Sequence, residues 1–177
     1  MRWSGALTPS SRFLGAKMAG IAEAQKAALV VEFGAGTGSV TREILKLLPA
    51  SGKLIAFEIN EGFSKYLKQN IQDPRLTVIQ KSPDSEPRLL EKLGLPKADS
   101  VISGIPLSNL SHKKINVMLQ TAKHFLKPGG NFVQFQYSLR NYRDIKNVFG
   151  KALIKFEYRN LPPAFVYVCR NASFKAN

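Results

Sequence analysis

"VVEFGAGTGSVT", residues 30–41, decides the fold. An apolar, β-branched run ends at Phe33 and feeds three glycines at alternate positions, Gly34, Gly36 and Gly38. Apolar residues then recur at helical spacing through Val40, Ile44, Leu45 and Leu48. A strand that turns through glycines into a helix brings backbone N–H groups close to a ligand. The acid Glu32, two residues before the first glycine, would repel a pyrophosphate placed there. It suits a cationic ammonium or sulfonium, or it caps the loop. A nucleoside that carries an amino acid satisfies both the glycines and the acid.

The same alternation continues along the chain. Strand-like stretches at 29–33, 53–58, 76–80 and 100–103 alternate with helix-like stretches at 37–48, 61–71 and 87–93. Ser111 is placed to cap a helix that stops at Pro128-Gly129-Gly130, and a strand at 131–138 follows. Asn141 is then expected to cap a short basic helix. Two last strands, 153–158 and 165–170, are joined through "NLPPA" with no helix between them. Residues 11–28 read as a helix preceding the first strand. Repeated strand–helix alternation implies an α/β domain: a doubly wound, mostly parallel, seven-stranded sheet of Rossmann-like form. The closing hairpin adds an antiparallel edge.

Composition narrows the class of partner. The chain has 177 residues, 44% of them hydrophobic, enough for one domain with a buried core. Its one cysteine, Cys169, excludes an internal disulfide. Residues 1–20 lack the continuous apolar core of a secretory signal, and the apolar run near Val30 stops at Glu32, short of a membrane span. The net charge is +14. That excess favours an anionic partner, either nucleic acid or an acidic membrane face, or is the solvated surface of a basic protein.

A second acid sharpens the ligand. Glu58 ends the second strand twenty positions after Gly38, where an acid takes the paired hydroxyls of a ribose. Together the loop and the two acids resemble the class I S-adenosylmethionine-dependent methyltransferases, whose closing strands also match the edge hairpin. The resemblance implies that S-adenosylmethionine is the cofactor and that no metal is needed. It assigns to the cofactor Glu32, Gly34, Ala35, Gly36, Thr37 and Gly38, then Glu58, Ile59 and Asn60. Ser103, Gly104 and Ile105, after the fourth strand, complete that wall. After the third strand the broad fold often carries an Asp for the adenine amino group; here the stretch is Lys81-Ser82-Pro83. Either Ser82, with Pro83, takes that place or Asp84 reaches in. Asp99, just before the fourth strand, reads as structural.

The acceptor is read from the segment after the fourth strand. Enzymes that methylate base amino groups carry an amide or acid there, followed by proline and an aromatic ring. This chain has Ser103-Gly104-Ile105-Pro106-Leu107. Against the "NIPY" pattern of the ribosomal RNA adenine dimethyltransferases, Gly104 replaces the amide and Leu107 the aromatic, so both groups that would hold a flipped adenine are missing. The chain resembles instead, nearly end to end, the small bacterial phospholipid N-methyltransferases. "GALTPSSRFLGAKM", "FEINEGF", "DSVISGIPL", "LKPGGNFVQFQYS" and "NLPPAFVYVCR" carry that resemblance.

Membership in such a family implies methylation of phosphatidylethanolamine toward phosphatidylcholine, with the amine of ornithine lipids sharing the pattern. It makes nucleic acid the disfavoured partner. Residues 1–28 then form an amino-terminal helical segment, serving as cofactor lid and membrane contact, and residues 29–177 the catalytic domain. Tyr137 is the candidate catalytic residue, its ring facing the developing cation or its hydroxyl relaying the amine proton; a packed core aromatic is the alternative. Asn160 and Pro162 form part of the head-group pocket or stiffen the hairpin loop. Ser10, Ser11 and Arg12 close over the cofactor or bind the lipid phosphate, unless Arg12 is simply solvated. His112 and His124 read as structural or surface residues.

Docking on an anionic membrane surface is the corollary. Arg2, Trp3, Leu7, Arg12, Phe13, Leu14, Lys17 and Met18 mix basic and apolar groups in the manner of an interfacial segment. Arg140, Arg143 and Lys146 recur at three-residue spacing and add charge. The expected location is cytoplasmic, peripherally bound to the inner face of the membrane.

Overall fold

The computed structural model describes residues 11–172. Arg2, Trp3 and Leu7, expected at a membrane surface, and Ser10, expected over the cofactor, lie outside that range. Ser11 caps α1 (Arg12–Ile21), its hydroxyl accepting from the Leu14 N–H at 3.2 Å. The helix is shorter than the apolar pattern suggested: it ends at Ile21, and a single 3-10 turn at Ala24–Lys26 leads into the sheet. The order is then β1 (Leu29–Phe33), α2 (Ser39–Leu47), β2 (Lys53–Phe57), α3 (Glu61–Asn70), β3 (Leu76–Ile79), α4 (Leu89–Lys92) and β4 (Ala98–Ser103). It closes with α5 (His112–Phe125), β5 (Leu126–Gln136), α6 (Tyr142–Phe149), β6 (Leu153–Glu157) and β7 (Ala164–Arg170).

The strands form one seven-stranded sheet in the order β3-β2-β1-β4-β5-β7-β6. All pairs are parallel except those of β7, which runs antiparallel to both β5 and β6. The doubly wound α/β expectation holds, with its antiparallel edge. Because β1 and β4 are neighbours while the chain winds outward to β2 and β3 on one side and to β5 on the other, the crevice for a ligand opens at their carboxyl ends.

Two apolar layers cover the sheet. On one face α5, α6 and α4 pack onto Val31, Phe33, Phe57, Val101 and Phe132. On the other, α1 and α2 pack onto Val30, Leu54, Ile102, Val133 and Phe135. Leu14 and Met18 are fully buried in this second layer, which corrects their reading as interfacial side chains. Burying each stabilises the fold by about 1.5–3 kcal/mol, so they are not free to enter a membrane.

Other expectations shift for local reasons. β3 is an edge strand, with Thr77 exposed and Leu76, Val78 and Ile79 half-buried. α4 is one turn, with Pro87 and Arg88 outside it. α5 is capped by Ser111 as expected, but it stops at Phe125, and Pro128-Gly129-Gly130 already belongs to β5. Asn141 does not cap α6; its side-chain amide donates to Asp144 Oδ2 at 3.2 Å instead.

Asp99 is structural, as the sequence suggested. Its Oδ2 accepts from the Ala28 and Leu29 N–H groups at 2.8 and 3.0 Å, and its Oδ1 pairs with Lys127. It therefore pins the start of β1 to the start of β4. Asp99→Ala removes the acceptor from two backbone donors. Urea denaturation is expected to show a loss of roughly 2 kcal/mol, with Asp99→Asn intermediate.

Candidate cofactor and methyl-acceptor site

Strand register assembles the site row by row. Glu32 pairs with Ala56 and Ile102, and Ile102 with Val133, so these share one row and one face. Two residues further along each strand direction, on the same face, come Gly34, Glu58, Gly104 and Phe135. Tyr137 lies two residues beyond Phe135, past the end of β5. Four separate segments of the sequence thus meet at the carboxyl ends of β1, β2, β4 and β5.

The glycine loop is held by β2. The Gly34 and Ala35 N–H groups both donate to the Phe57 carbonyl, at 2.9 and 3.1 Å. Glu58 Oε2 accepts from the Gly36 N–H at 2.7 Å, and its Oε1 accepts from the Asn60 N–H at 2.8 Å. Asn60 in turn caps α3 through its side-chain oxygen. Gly34, Gly36 and Gly38 all adopt positive φ, a conformation that other residues rarely hold. At Gly36 a Cβ would meet nothing within 4 Å, so the loop is bent there around open space. Ile59, next to Glu58 in the chain, is 73% exposed.

Glu32 lies deeper. It is 1% exposed and its Oε2 accepts from the Thr41 hydroxyl of α2 at 2.7 Å. Burial raises its pKa to about 7 and the charge of nearby Glu58 adds to the rise, while the Thr41 hydrogen bond opposes it. A buried acid poised near neutrality is stabilised as an anion by any cation that approaches it.

The segment after β4 packs directly on this loop. The Gly104 N–H donates to the Phe33 carbonyl at 2.8 Å, and a Cβ at Gly104 would lie 3.0 Å from the Gly34 carbonyl. Glycine at this position is therefore a requirement of close approach between two backbones. Ser103 is buried, and Leu107 is wholly buried in the α5 layer. Gln134 and Gln136 each donate from their side-chain amides to the Ile105 carbonyl at 2.9 Å, which fixes the segment from β5. Sequence reading missed these two glutamines as positioning residues. Their signal was present as two buried amides in a strand that otherwise reads as core.

Tyr137 packs edge-on against Phe135 at 5.6 Å between ring centroids. Its hydroxyl is buried and has no hydrogen-bond partner among the described residues. Tyr167 fixes the chain just beyond it by donating to the Ser138 carbonyl at 3.1 Å. Asn160 is buried, and its amide is used within the protein: Oδ1 accepts from the Ser11 N–H at 2.8 Å and Nδ2 donates to the Pro162 carbonyl at 2.7 Å. It ties the start of α1 to the β6–β7 loop, while Pro162 is exposed. Arg12 is exposed, its guanidinium 4.9 Å from the centre of the Phe13 ring.

At the end of β3, Pro83 is buried and Ser82 half-buried, its hydroxyl donating to Asp84. Asp84 does not reach toward the crevice unpaired, because Lys114 of α5 holds its other oxygen at 2.6 Å. His112 and His124 are exposed and lie on the α5 surface. Among the described residues, no group of three or more His, Cys, Asp or Glu side chains could hold a metal ion.

A sheet of this order with a strand-end acid and a glycine loop defines a nucleoside-binding α/β domain. Residues 30–130 match the methyltransferase domain family. The ornithine lipid N-methyltransferase of Singulisphaera acidiphila is 30% identical over 166 residues, which cover 93% of this chain and 86% of that protein. The precorrin-6y C5,15-methyltransferase structure from Geobacter metallireducens superposes with a TM-score of 0.67 at 18% identity, over 90% of this chain and 88% of that one. Human N-acetylserotonin methyltransferase in complex with S-adenosylmethionine gives a TM-score of 0.66 at 15% identity over 90% of this chain. This chain covers only 52% of that human chain, so the likeness is one of fold. The chain belongs to the class I methyltransferase family, and it is an S-adenosylmethionine-dependent methyltransferase.

The charge state of Glu32 gives a pH test. In the unfolded chain its pKa is the ordinary 4.5, and in the folded protein it is about 7. Between those values the folded state keeps a proton that the unfolded state has lost, so stability falls as pH rises through the window. Above pH 7 the penalty is complete, at roughly 3 kcal/mol. Glu32→Gln removes it. In urea, the ligand-free variant should be more stable than the parent at pH 8 and nearly equal to it near pH 4.5. Identical pH profiles for the two proteins would remove the buried-acid account.

Proposed function

We propose that the protein transfers methyl groups from S-adenosylmethionine to the primary amine of a membrane phospholipid, phosphatidylethanolamine first, in the direction of phosphatidylcholine. The observation that carries this reading is the Gly34–Gly104 approach. A Cβ at Gly104 would lie 3.0 Å from the Gly34 carbonyl, so the amide that would accept from a base amino group would require the two backbones to move apart. Leu107, at the position of the stacking ring, is in the core. The lipid N-methyltransferase relative supports an amine acceptor in a lipid, and its ornithine lipid shares that chemistry.

S-adenosylmethionine supplies an electrophilic methyl carbon on its sulfonium. Glu58 would hold the ribose hydroxyls with its remaining lone pairs, and Ile59 would cover one face of the adenine near Ser82 and Pro83. Gly34, Ala35, Gly36, Thr37 and Gly38 would wrap the amino-acid end, with Glu32 below supplying negative charge. Asn60, Ser103, Gly104 and Ile105 would complete the wall, and Ser11, held by Asn160, would carry α1 across it.

The acceptor must lose a proton before it can attack. An ammonium of lysine type has a pKa near ~10.4, so exposing its lone pair at pH 7 costs about 4–5 kcal/mol. A partly apolar surface lowers that cost by disfavouring the charge, and alignment beside the methyl group supplies much of the rest. The Tyr137 hydroxyl, buried and unpartnered among the described residues, would accept a hydrogen bond from the amine, to orient it or to relay its proton. Arg12 would meet the lipid phosphate, with Pro162 and Asn160 at the head-group side. The excess of positive charge supports docking on the anionic inner face of the membrane. Among the described residues, no helix is long and apolar enough to cross a membrane.

Glu58→Ala should weaken S-adenosylmethionine binding by about 1.5–3 kcal/mol, the range for hydrogen bonds to a charged group. Titration calorimetry on the folded variant reads this directly, and unchanged affinity would remove Glu58 from the ribose.

The reaction itself is tested by radiolabelled methyl transfer into phosphatidylethanolamine, ornithine lipid and ribosomal RNA, run in parallel. Label is expected in phosphatidylethanolamine; label in ornithine lipid alone would move the substrate, and label in RNA alone would overturn the reading. Tyr137→Phe is expected to lower kcat by about 10²-fold with cofactor affinity unchanged. The same change removes an unpartnered buried hydroxyl and should make the ligand-free protein about 1 kcal/mol more stable.

A further inference from the structure

The exposed large apolar side chains are not spread evenly. Leu139, Leu153, Ile154, Phe156, Tyr158 and Leu161 all lie on β6, on the loop that follows it, or on the neighbouring loop before α6. Tyr158 is 72% and Leu161 82% exposed, both in the β6–β7 loop. Phe13 of α1 joins them, its ring flanked by the guanidinium groups of Arg12 and Arg159 at 4.9 and 4.7 Å from its centre.

Topology fixes where this loop sits. β5 and β6 are each antiparallel to β7, so they run in the same direction. The β6–β7 loop therefore lies at the end of the sheet where Tyr137 and the glycine loop lie. Asn160, in that loop, is bonded to Ser11 at the start of α1. The β6–β7 loop and the mouth of the methyl-acceptor site thus lie at the same end of the sheet, joined through Ser11.

Charge selects the occupant. Arg12, Arg140, Arg143 and Lys155 border this edge and make no ion pair among the described residues. The one acid of β6, Glu157, is buried and held by Arg159 and Lys17; the Arg159 hydrogen bond lowers its pKa to about 2 against the opposing effect of burial. Apolar tips ringed by uncompensated cations fit the boundary between lipid tails and anionic head groups. A second copy fits poorly. Pairing two β6 edges antiparallel about Lys155 would set like charges opposite each other, and the whole molecule carries +14.

We propose that the β6 edge and the β6–β7 loop form the surface that enters an anionic phospholipid bilayer, with Tyr158, Leu161 and Phe156 inserting and Arg12 and Lys155 contacting lipid phosphates. This rests on the lipid-amine reading above and adds the orientation: the site mouth faces the bilayer, and a head group reaches Tyr137 without the lipid leaving the membrane.

The test is co-sedimentation with vesicles of equal phosphatidylglycerol and phosphatidylcholine. The variant is Tyr158→Ser with Leu161→Ser, two exposed positions whose replacement leaves the net charge unchanged. Its partition coefficient should fall at least 10-fold, with S-adenosylmethionine affinity unchanged. Its methyl transfer to a short-chain, monomeric phosphatidylethanolamine should equal that of the parent. Partitioning like that of the parent, or a parent that does not bind the vesicles, would overturn the proposal. So would a concentration-dependent parent dimer that the variant loses while its vesicle binding is unaltered. If the parent methylates no monomeric lipid but the variant still loses vesicle binding, the substrate reading fails and the docking surface stands.

Discussion

The carboxylate of Glu58 is the junction on which the site depends. One of its oxygens takes the Gly36 N–H and the other the Asn60 N–H, so a single side chain fixes the glycine loop after β1 and the start of α3 after β2. The Phe57 carbonyl holds the first two residues of the same loop. Backbone amides that would otherwise need water are thereby satisfied, and the loop holds three glycines at positive φ. The segment after β4 can then approach to the Gly34 carbonyl because Gly104 has no side chain. Each wall of the crevice is placed by the one before it.

Two groups in this site work against stability. Glu32 is an acid enclosed among apolar strands with a single hydroxyl partner, and Tyr137 has a buried hydroxyl with none. Ser64 Oγ, Gln134 Oε1 and Asn141 Oδ1 are also buried without a partner among the described residues, whereas Asp99, Asn160 and Glu157 have their oxygens occupied by N–H groups or cations. An unmet polar group costs about 1–3 kcal/mol when buried. Glu32 and Tyr137 are set apart by position: both lie on the same sheet face at the carboxyl ends of β1 and β5, beside the glycine loop and the segment after β4.

The basic character of the molecule also divides by position. Many cations are held in place by acids or carbonyls: Arg75 by Asp73 and the end of α2, Lys114 by Asp84, Lys127 by Asp99. On the β6 side Arg159 and Lys17 hold Glu157, while Arg12, Arg140, Arg143 and Lys155 make no ion pair among the described residues, next to the apolar side chains that the sheet cannot cover. A free sheet edge is ordinarily a hazard for aggregation. Here cations flank it, and it adjoins the mouth of the site.

Much of this was legible in the sequence. The alternation of apolar periods fixed seven strands and their helices to within a few residues, because strand and helix spacings differ and glycine and proline mark their ends. The glycine loop and the role of Asp99 followed from position alone, whereas the hold of Glu58 on the Gly36 and Asn60 N–H groups did not. What the sequence could not supply was anything that depends on which face meets which. Leu14 and Met18 look the same in an interfacial helix and in a core helix, and only packing against Val30 and Ile102 separates the two. Gly104 read as a missing amide; the fold shows that the Gly34 carbonyl lies only 3.0 Å from where a Cβ would sit. Gln134 and Gln136 support Ile105 from a strand some thirty residues away. Contacts of that kind arise from the sheet register, which couples distant residues through hydrogen bonds that no local pattern encodes.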